Sequence, residues 1–227
     1  VYERFTWYTW QMAALMNNTA GDGNGYIGNL ALKPEKADTL SATFDWHTSD
    51  GSSGVKVSPF YTEVSDFIDA VQWNAVSNSP LVTSVVGKFS VLKYINQSAR
   101  LVGVNVSGHH PLGRSAMGDW GIKGVLSYTR GTNRDTGDKL YNLMPLNTRL
   151  TLTHKVGGWN NALEWLVVSA KDRTNAMRNE VTTPGYALLN ARFSHAWKTV
   201  RLDFGVDNLL DKAYALPTGG AYVGQGT

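Results

Sequence analysis

The chain contains no cysteine, which excludes a disulfide framework, a thiolate metal site and a cysteine nucleophile. It also lacks any apolar run of the roughly eighteen residues that a membrane-crossing helix needs. Charge of one sign is scarce: 21 Lys and Arg against 18 Asp and Glu leave a formal +3. No basic run or stripe concentrates that excess, so a nucleic-acid footprint is excluded. The start at Val1 lacks a basic-then-apolar signal segment, as expected of a fragment. Aromatic residues and glycine are plentiful instead, with 8 Trp, 10 Tyr and 23 Gly in 227 residues. At 42% hydrophobic, the chain has enough apolar side chains for one large β domain or two smaller ones.

Period-two alternation is the dominant pattern. Between Arg201 and Asp207, Leu202, Phe204 and Val206 fall on one face and Arg201, Asp203, Gly205 and Asp207 on the other. Such a segment suits a half-buried soluble sheet or the wall of a membrane barrel. Similar runs occupy Ala37 to His47, Val55 to Tyr61, Trp120 to Tyr128, Asn147 to Val156, Ala162 to Ser169 and Tyr186 to Trp197. Each is strand-length rather than helix-length.

The connectors discriminate between the two readings. Short ones (Ser49 to Gly54, His109 to Gly118, Gly157 to Asn160, and the Trp197-Lys198 corner) alternate with long ones (Gln11 to Lys36, Trp73 to Lys88, Gly131 to Pro145, Lys171 to Pro184). This is the plan of an outer-membrane barrel with tight periplasmic turns and long external loops. A soluble sandwich does not require its long connectors on one side. Trp46, Trp120, Trp159 and Trp197 sit by the short turns, and Trp7, Trp10 and Trp73 approach the long loops. Two tryptophan belts are what two membrane interfaces select.

Two motifs carry a family resemblance. Gly28-Asn29-Leu30-Ala31-Leu32-Lys33-Pro34-Glu35-Lys36-Ala37 precedes a strand, and Asp207-Asn208-Leu209-Leu210-Asp211-Lys212-Ala213-Tyr214 follows one. Together they resemble passages of the TonB-dependent outer-membrane receptors. Tyr2-Glu3-Arg4-Phe5, Gly21 to Tyr26, Val125 to Gly131 and Leu216 to Tyr222 are similar to the copper-receptor branch of that family. The resemblance implies an all-β, antiparallel transmembrane barrel of about 22 strands with an N-terminal plug. On that expectation residues 1–227 form a single C-terminal part of the barrel, about nine strands, with plug and closing strand absent.

The function implied is active uptake of a metal, copper first, or of a metal chelate across the outer membrane of a Gram-negative bacterium. Expected partners are the TonB complex, reached through the plug, outer-membrane lipid and the transported ligand. The alternatives are a siderophore receptor, for which Tyr26, Arg134 and Tyr141 are candidate contacts, and a soluble or surface β binding module with tryptophan platforms. No enzyme activity and no cofactor are expected. Gly23 to Gly28 spells G-x-G-x-x-G without a βαβ unit, Asp22-Gly23-Asn24-Gly25 opens like a calcium loop but lacks later ligands, and Asp135-Thr136-Gly137 lacks flanking apolar strands. Asn17, Asn96 and Asn105 begin N-x-S/T triplets of low specificity.

Metal-ligating side chains sort by side of the membrane. His47, His109, His110, His154 and His195 fall at or near the short turns. Met12, Met16, Met144 and Met177 fall in or beside the long loops, where a substrate arrives, while Met117 does not. Thioethers are soft ligands that favour Cu(I), so these four methionines are the candidate metal site, with packing of loop against loop as the ordinary alternative. The polar-face residues Asp45, Lys56, Lys123, Arg149, Arg192, Arg201 and Asp203 are of mixed sign and form no ring at this level, which fits a wet lumen without a selective site.

Overall fold

Residues that alternate in polarity can satisfy both their faces only as strands, and the long alternating runs fold that way. The computed structural model describes residues 2–8, 24–81, 88–219 and 225–226. A helical turn α1 (Tyr2–Phe5) precedes β1 (Trp7–Tyr8) and β2 (Gly25–Ile27). There follow β3 (Lys36–Ser41), β4 (Phe44–His47), β5 (Gly54–Asn74), β6 (Ser79–Pro80), β7 (Val91–Ser115), β8 (Gly118–Asn133), β9 (Asn147–Val156), β10 (Trp159–Val168), β11 (Tyr186–Ala196) and β12 (Arg201–Val206). A separate small ribbon joins β13 (Tyr214–Ala215) to β14 (Gln225–Gly226).

The long strands form one antiparallel wall in chain order, from β5 through β7, β8, β9, β10 and β11 to β12, with β3 and β4 along the outer side of β5. One pairing is parallel: β2 lies beside the start of β7, with Gly25 opposite Val91. The run expected as one strand from Ala37 to His47 is interrupted at Ala42-Thr43. Ala42 N donates to the Pro59 carbonyl at 3.2 Å, but Pro59 has no N–H to return.

Register assigns every side chain to a face. Phe204 stands opposite Phe193, Phe193 opposite Asn161, Leu163 opposite Leu152, Leu152 opposite Ile122 and Leu126 opposite Val106. One face therefore carries a band of Val, Ile, Leu, Phe and Trp from β4 to β12. No protein covers it: Phe204 remains 56% exposed and Leu202 45%. An apolar band of this width, left bare on regular strands, is a lipid-facing surface, and the soluble-module alternative is set aside on it. The opposite face carries Asp45, Lys56, Lys123, Arg149, Glu164, Arg192 and Asp203, and it curves around a concavity of about 820 Å³. The sheet does not close on itself among the described residues.

The band has sharp edges. On β5 the outward series Val55, Val57, Pro59 and Tyr61 gives way to Glu63; on β7 Val106, Val104 and Val102 give way to Arg100; on β8 Ile122, Gly124, Leu126 and Tyr128 give way to Arg130. At the short-turn end stand Trp120 stacked on His154 at 4.2 Å, Trp159 edge-on to His195 at 4.6 Å, and Trp197 at 4.2 Å from His195. The tryptophan belt expected beside the short turns is thus present. The other belt differs. Trp73 lies far beyond Glu63 on the 21-residue β5, under the Lys93 ammonium at 4.1 Å, and Tyr61 and Tyr128 mark that edge of the band instead. The side chain of Trp7 and all of Trp10 lie outside the described residues. Spanning needs about 9–11 residues per strand, so β5 and the 25-residue β7 continue well past the membrane as a projecting hairpin.

The hydrophobic core sits at the long-loop end. Tyr26, Leu32, Ala70, Leu92 and Tyr94 form one cluster, Val64, Ala99 and Leu140 a second, and Val168, Tyr186 and Leu188 a third. In each, loop or N-terminal residues fold onto the projecting strand ends.

The short turns are stapled by imidazoles. The His109 ring N–H donates to the Gly51 carbonyl at 3.1 Å and that of His154 to the Met117 carbonyl at 2.7 Å. Gly157 and Gly158 both take positive φ (53° and 84°), the requirement of a tight hairpin turn with the sheet's own twist. In the Thr48-to-Ser53 turn, the Thr48 hydroxyl donates to Asp50 at 2.6 Å and the Ser52 N–H at 3.0 Å. Those donors hold the Asp50 carboxyl down at about 2, against 3.8 ordinarily.

Replacing Leu126, mid-band on the lipid face, by Arg is expected to destabilise the membrane-inserted protein by about 2–4 kcal/mol, whereas Ser127→Arg on the polar face changes it by under about 1 kcal/mol. Reversible urea titration in lipid vesicles, read by tryptophan fluorescence, measures the difference; equal penalties would contradict the assignment of faces. Because Asp50 is more acidic folded than unfolded, its contribution is present above about pH 4 and is lost as pH falls through about 2. Carboxyl NMR titration should show Thr48→Val moving the Asp50 midpoint upward toward 3.8.

Candidate functional site

Two places can meet a solute: the concave polar wall and the long-loop mouth above it. Along the wall the charges pair off. Lys56 meets Asp45 at 3.1 Å, Arg149 meets Glu164 at 3.4 Å, and Arg201 meets Asp203 at 2.7 Å. Glu164 also accepts from the Asn190 amide at 3.0 Å, and Arg192 pairs with Asp207. Lys123 alone among these cations has no ionic partner in the described residues. The wall is therefore a hydrated surface of neutralised pairs, matching the mixed lumen expected from sequence.

The mouth is built differently. The connector from β10 to β11, read from sequence only as a loop, folds into a strap across it. Lys171 and Thr183 exchange backbone hydrogen bonds at 2.9 and 3.1 Å, closing the strap at its base. At its tip Asn175 caps a single 3-10 turn (Ala176–Arg178), its side-chain oxygen accepting from Arg178 N at 3.2 Å, and Asn179 turns the chain out with φ 53°. Asparagine is among the residues that tolerate this left-handed conformation best.

Glu180 is the knot of the strap. One carboxylate oxygen accepts from Lys171 Nζ at 2.5 Å and from Asn142 N at 2.7 Å; the other accepts from Asn175 N at 2.7 Å. Lys171 Nζ also donates to the Pro217 carbonyl at 2.7 Å. Both side chains are almost wholly buried, at 2% and 0% exposure. Buried charges of this kind persist only when paired and hydrogen-bonded, as here. The ion pair thereby ties together the segments around Asn142, Asn175 and Pro217, which lie far apart in the chain.

Arg178 is the second anchor. It reaches Asp69 on the β5 projection at 3.2 Å, while its guanidinium lies 4.2 Å above the Tyr141 ring and 5.5 Å from that of Tyr26. Asp69 also accepts from Asn133 at 3.2 Å, and Asn133 donates to Gln97 at 2.8 Å. Sequence reasoning missed Asp69, Lys171, Arg178 and Glu180. No periodicity marks a strap.

The residues singled out from sequence take several structural roles. Met12 and Met16 lie outside the described residues. Met144 packs half-buried on the Val168, Tyr186 and Leu188 cluster, and Met177 sits half-buried on the strap's 3-10 turn. Of the siderophore candidates, Tyr26 stacks on Tyr94 at 5.0 Å, Tyr141 underlies Arg178, and Arg134 pairs with Glu63 at 2.9 Å. All five histidines stand on strands next to the short turns, where His47, His109, His110 and His154 make hydrogen bonds and His195 packs against Trp159 and Trp197. Among the described residues no three or more His, Asp or Glu side chains converge as a metal site.

A family model described as "TonB dependent receptor-like, beta-barrel" matches residues 1–209. Heme/hemopexin utilization protein C of Haemophilus influenzae (strain ATCC 51907 / DSM 11121 / KW20 / Rd) is 26% identical over 219 residues, covering 84% of this chain and 28% of that protein. The solved structure described as "Copper transporter OprC" aligns with a TM-score of 0.66 at 23% identity, over 82% of this chain and 27% of the other. The ferric-catecholate import receptor Fiu from K12 E. coli aligns at 0.58 and 15% identity, over 87% and 27%. These structural likenesses are likenesses of fold. The chain spans a little over a quarter of the length of the curated relatives it matches.

Glu180→Gln leaves the Lys171 ammonium buried without its counter-charge, which is expected to cost about 3–5 kcal/mol locally. Hydrogen exchange should then accelerate across residues 171–183 and leave β8–β9 pairing unchanged. Unaltered protection of the strap would show that Glu180 does not hold it.

Proposed function

Because the chain belongs to the TonB-dependent receptor β-barrel family, whose members are outer-membrane barrels of Gram-negative bacteria, we propose that it forms part of a receptor for active uptake of a metal or metal chelate. The protein is a transporter in this reading and not an enzyme. Ligand is captured at the long-loop mouth, the TonB complex supplies energy through a plug, and the concave wall borders the passage. Residues 1–227 contribute one continuous portion of the barrel.

The observation that carries this reading is the division of the concave side into two kinds of surface. The wall holds neutralised pairs that bind nothing tightly, such as Lys56 with Asp45, while the mouth holds a strap anchored by two ion pairs. Passage needs the first, and capture needs the second. In this reading the strap is the gate, and breaking its two ion pairs would free it from the β5 projection and from the neighbouring connectors.

Copper is the first candidate cargo. Met144 and Met177 lie at the mouth and Met12 and Met16 belong to the preceding long segment, so thioethers rather than imidazoles stand on the arrival side. The likeness to a copper transporter agrees with this choice. Haem or a ferric siderophore is the second. The names of the curated relatives point to haem, and the Arg178, Tyr141 and Tyr26 group offers the flat cationic and aromatic surfaces a large chelate would use.

Metal uptake by cells expressing the receptor, with and without a functional TonB, tests the class. TonB-dependent accumulation of copper, reduced several-fold by Met12→Leu/Met16→Leu/Met144→Leu/Met177→Leu, is expected. Unchanged copper uptake by that variant would remove the methionine site. TonB-dependent uptake of haem or ferric siderophore in place of copper would select the second cargo.

A further inference from the structure

At the short-turn end of the concave wall, three adjacent strands place His47, Gly54 and His109 side by side. His47 stands opposite Gly54 and Gly54 opposite His109, so both imidazoles share the polar face with Asp45, Lys56 and Lys123. Gly54 leaves the space between them open. A Cβ there would lie 3.2 Å from His109 Cε1 and 3.5 Å from His47 Cβ, so the His109 ring leans over the glycine. With strands about 4.8 Å apart, the two backbones are roughly 10 Å from one another. Two imidazoles can bridge that gap through one ion, with metal–nitrogen bonds of about 2 Å.

Both rings hang from one turn. His47 Nδ1–H donates to the Thr48 carbonyl at 3.1 Å, and His109 Nε2–H to the Gly51 carbonyl at 3.1 Å. These two residues are themselves joined, Gly51 N donating to the Thr48 carbonyl at 2.9 Å. A carbonyl can only accept, so each neutral ring carries its proton on the anchored nitrogen and keeps a lone pair on the other. The bare nitrogens are His47 Nε2 and His109 Nδ1, neither with a hydrogen-bond partner among the described residues. An imidazole anchored through its N–H to a carbonyl is the usual state of a metal-ligating histidine.

The other three histidines lack this arrangement. His110, His154 and His195 stand opposite Ile122, Trp120 and Leu202 on the lipid-facing side. His110 Nδ1 is engaged by the Ser53 hydroxyl at 2.7 Å, and both nitrogens of His154 are taken, by the Met117 carbonyl at 2.7 Å and the Asn161 amide at 3.2 Å. His195 packs between Trp159 and Trp197. Only His47 and His109 offer a free lone pair toward the lumen.

We propose that His47 and His109 together hold one imidazole-seeking transition-metal ion, copper or zinc, at the short-turn end of the lumen. Water supplies any remaining ligands, because Asp45, two residues before His47 on the same face, is taken by Lys56 at 3.1 Å. Two protein ligands make a weak site. The Lys123 ammonium, opposite His109 and without an ionic partner among the described residues, weakens it further. An ion on its way out of the lumen needs a site of that kind, since a tight one would retain it. The role as an exit site rests on the uptake reading, whereas the binding itself does not.

Cu(II) titrated into the purified full-length receptor in detergent, followed by electron paramagnetic resonance, tests the pair. One equivalent should bind with the splitting pattern of two imidazole nitrogens. His47→Gln and His109→Gln should each weaken it about a hundredfold, the gain a second tethered ligand gives, and the double variant should bind no more weakly than either single one. His110→Gln and His154→Gln should leave the two-nitrogen signal unchanged. Heat-modified gel mobility checks that each variant is folded. Absence of the two-nitrogen spectrum, losses that multiply in the double variant, or equal binding by His47→Gln and wild type would each overturn the pair. Metal uptake is measured separately in cells. Intact binding without TonB-dependent copper or zinc uptake would leave the pair standing and remove its role as an exit, while intact uptake without the bound ion would remove the pair alone.

Discussion

The structure depends on one constraint: inside hydrocarbon, every backbone N–H and C=O must find its partner within the protein. Continuous ladders from β5 to β12 meet it, and the two-faced sequence pattern follows from the ladders. A strand paired on both sides has only its two faces left to address lipid and water. The apolar face needs no covering protein and the polar face cannot be buried. Among the described residues a conventional core is therefore absent from the spanning region, and the buried clusters gather where the strands leave the membrane. Pro59 marks the point where the constraint is locally relaxed. Its missing N–H falls on the side of β3 and β4, the outer edge of the wall, where a break in pairing does least harm.

Above the membrane the same chain obeys different rules. With water available, connectors could remain loose, yet the β10–β11 strap is held by buried charge. Replacing such pairs by apolar residues is often neutral or stabilising in other proteins, so the Lys171–Glu180 and Arg178–Asp69 pairs are poor choices if rigidity alone is wanted. They are good choices if the strap must fasten in one register, because a charge left unpaired there is costly. The mouth is specified by polar complementarity and the wall by alternation.

That difference decides how much was legible in the sequence. Period-two runs placed the spanning strands, and the order of short and long connectors gave the orientation. The short-turn tryptophans Trp120, Trp159 and Trp197 stand where an interface requires them. The β3–β4 break was missed because it is imposed by Pro59 on the neighbouring strand, not by Ala42 or Thr43 themselves. Trp73 misled because β5 runs on past the membrane, so nearness to a long connector was no measure of depth. The strap was invisible, since Asp69 and Arg178 are 109 residues apart and share no local pattern. The methionines remained a chemical argument from position, and Met144 has an apolar packing role beside it.

The two-residue connections at Ala116-Met117 and Gly157-Gly158 also bear on how the wall assembles. Closing a loop costs chain entropy that rises with its length, and contacts between near neighbours in sequence form fastest. The β7–β8 and β9–β10 pairs are thus kinetically local, whereas β8–β9 and β10–β11 must each close a long connector first. Assembly is expected to proceed by hairpins rather than by single strands. Each hairpin presents a preformed unit whose next neighbour is chosen last, when the connectors fold over its far end.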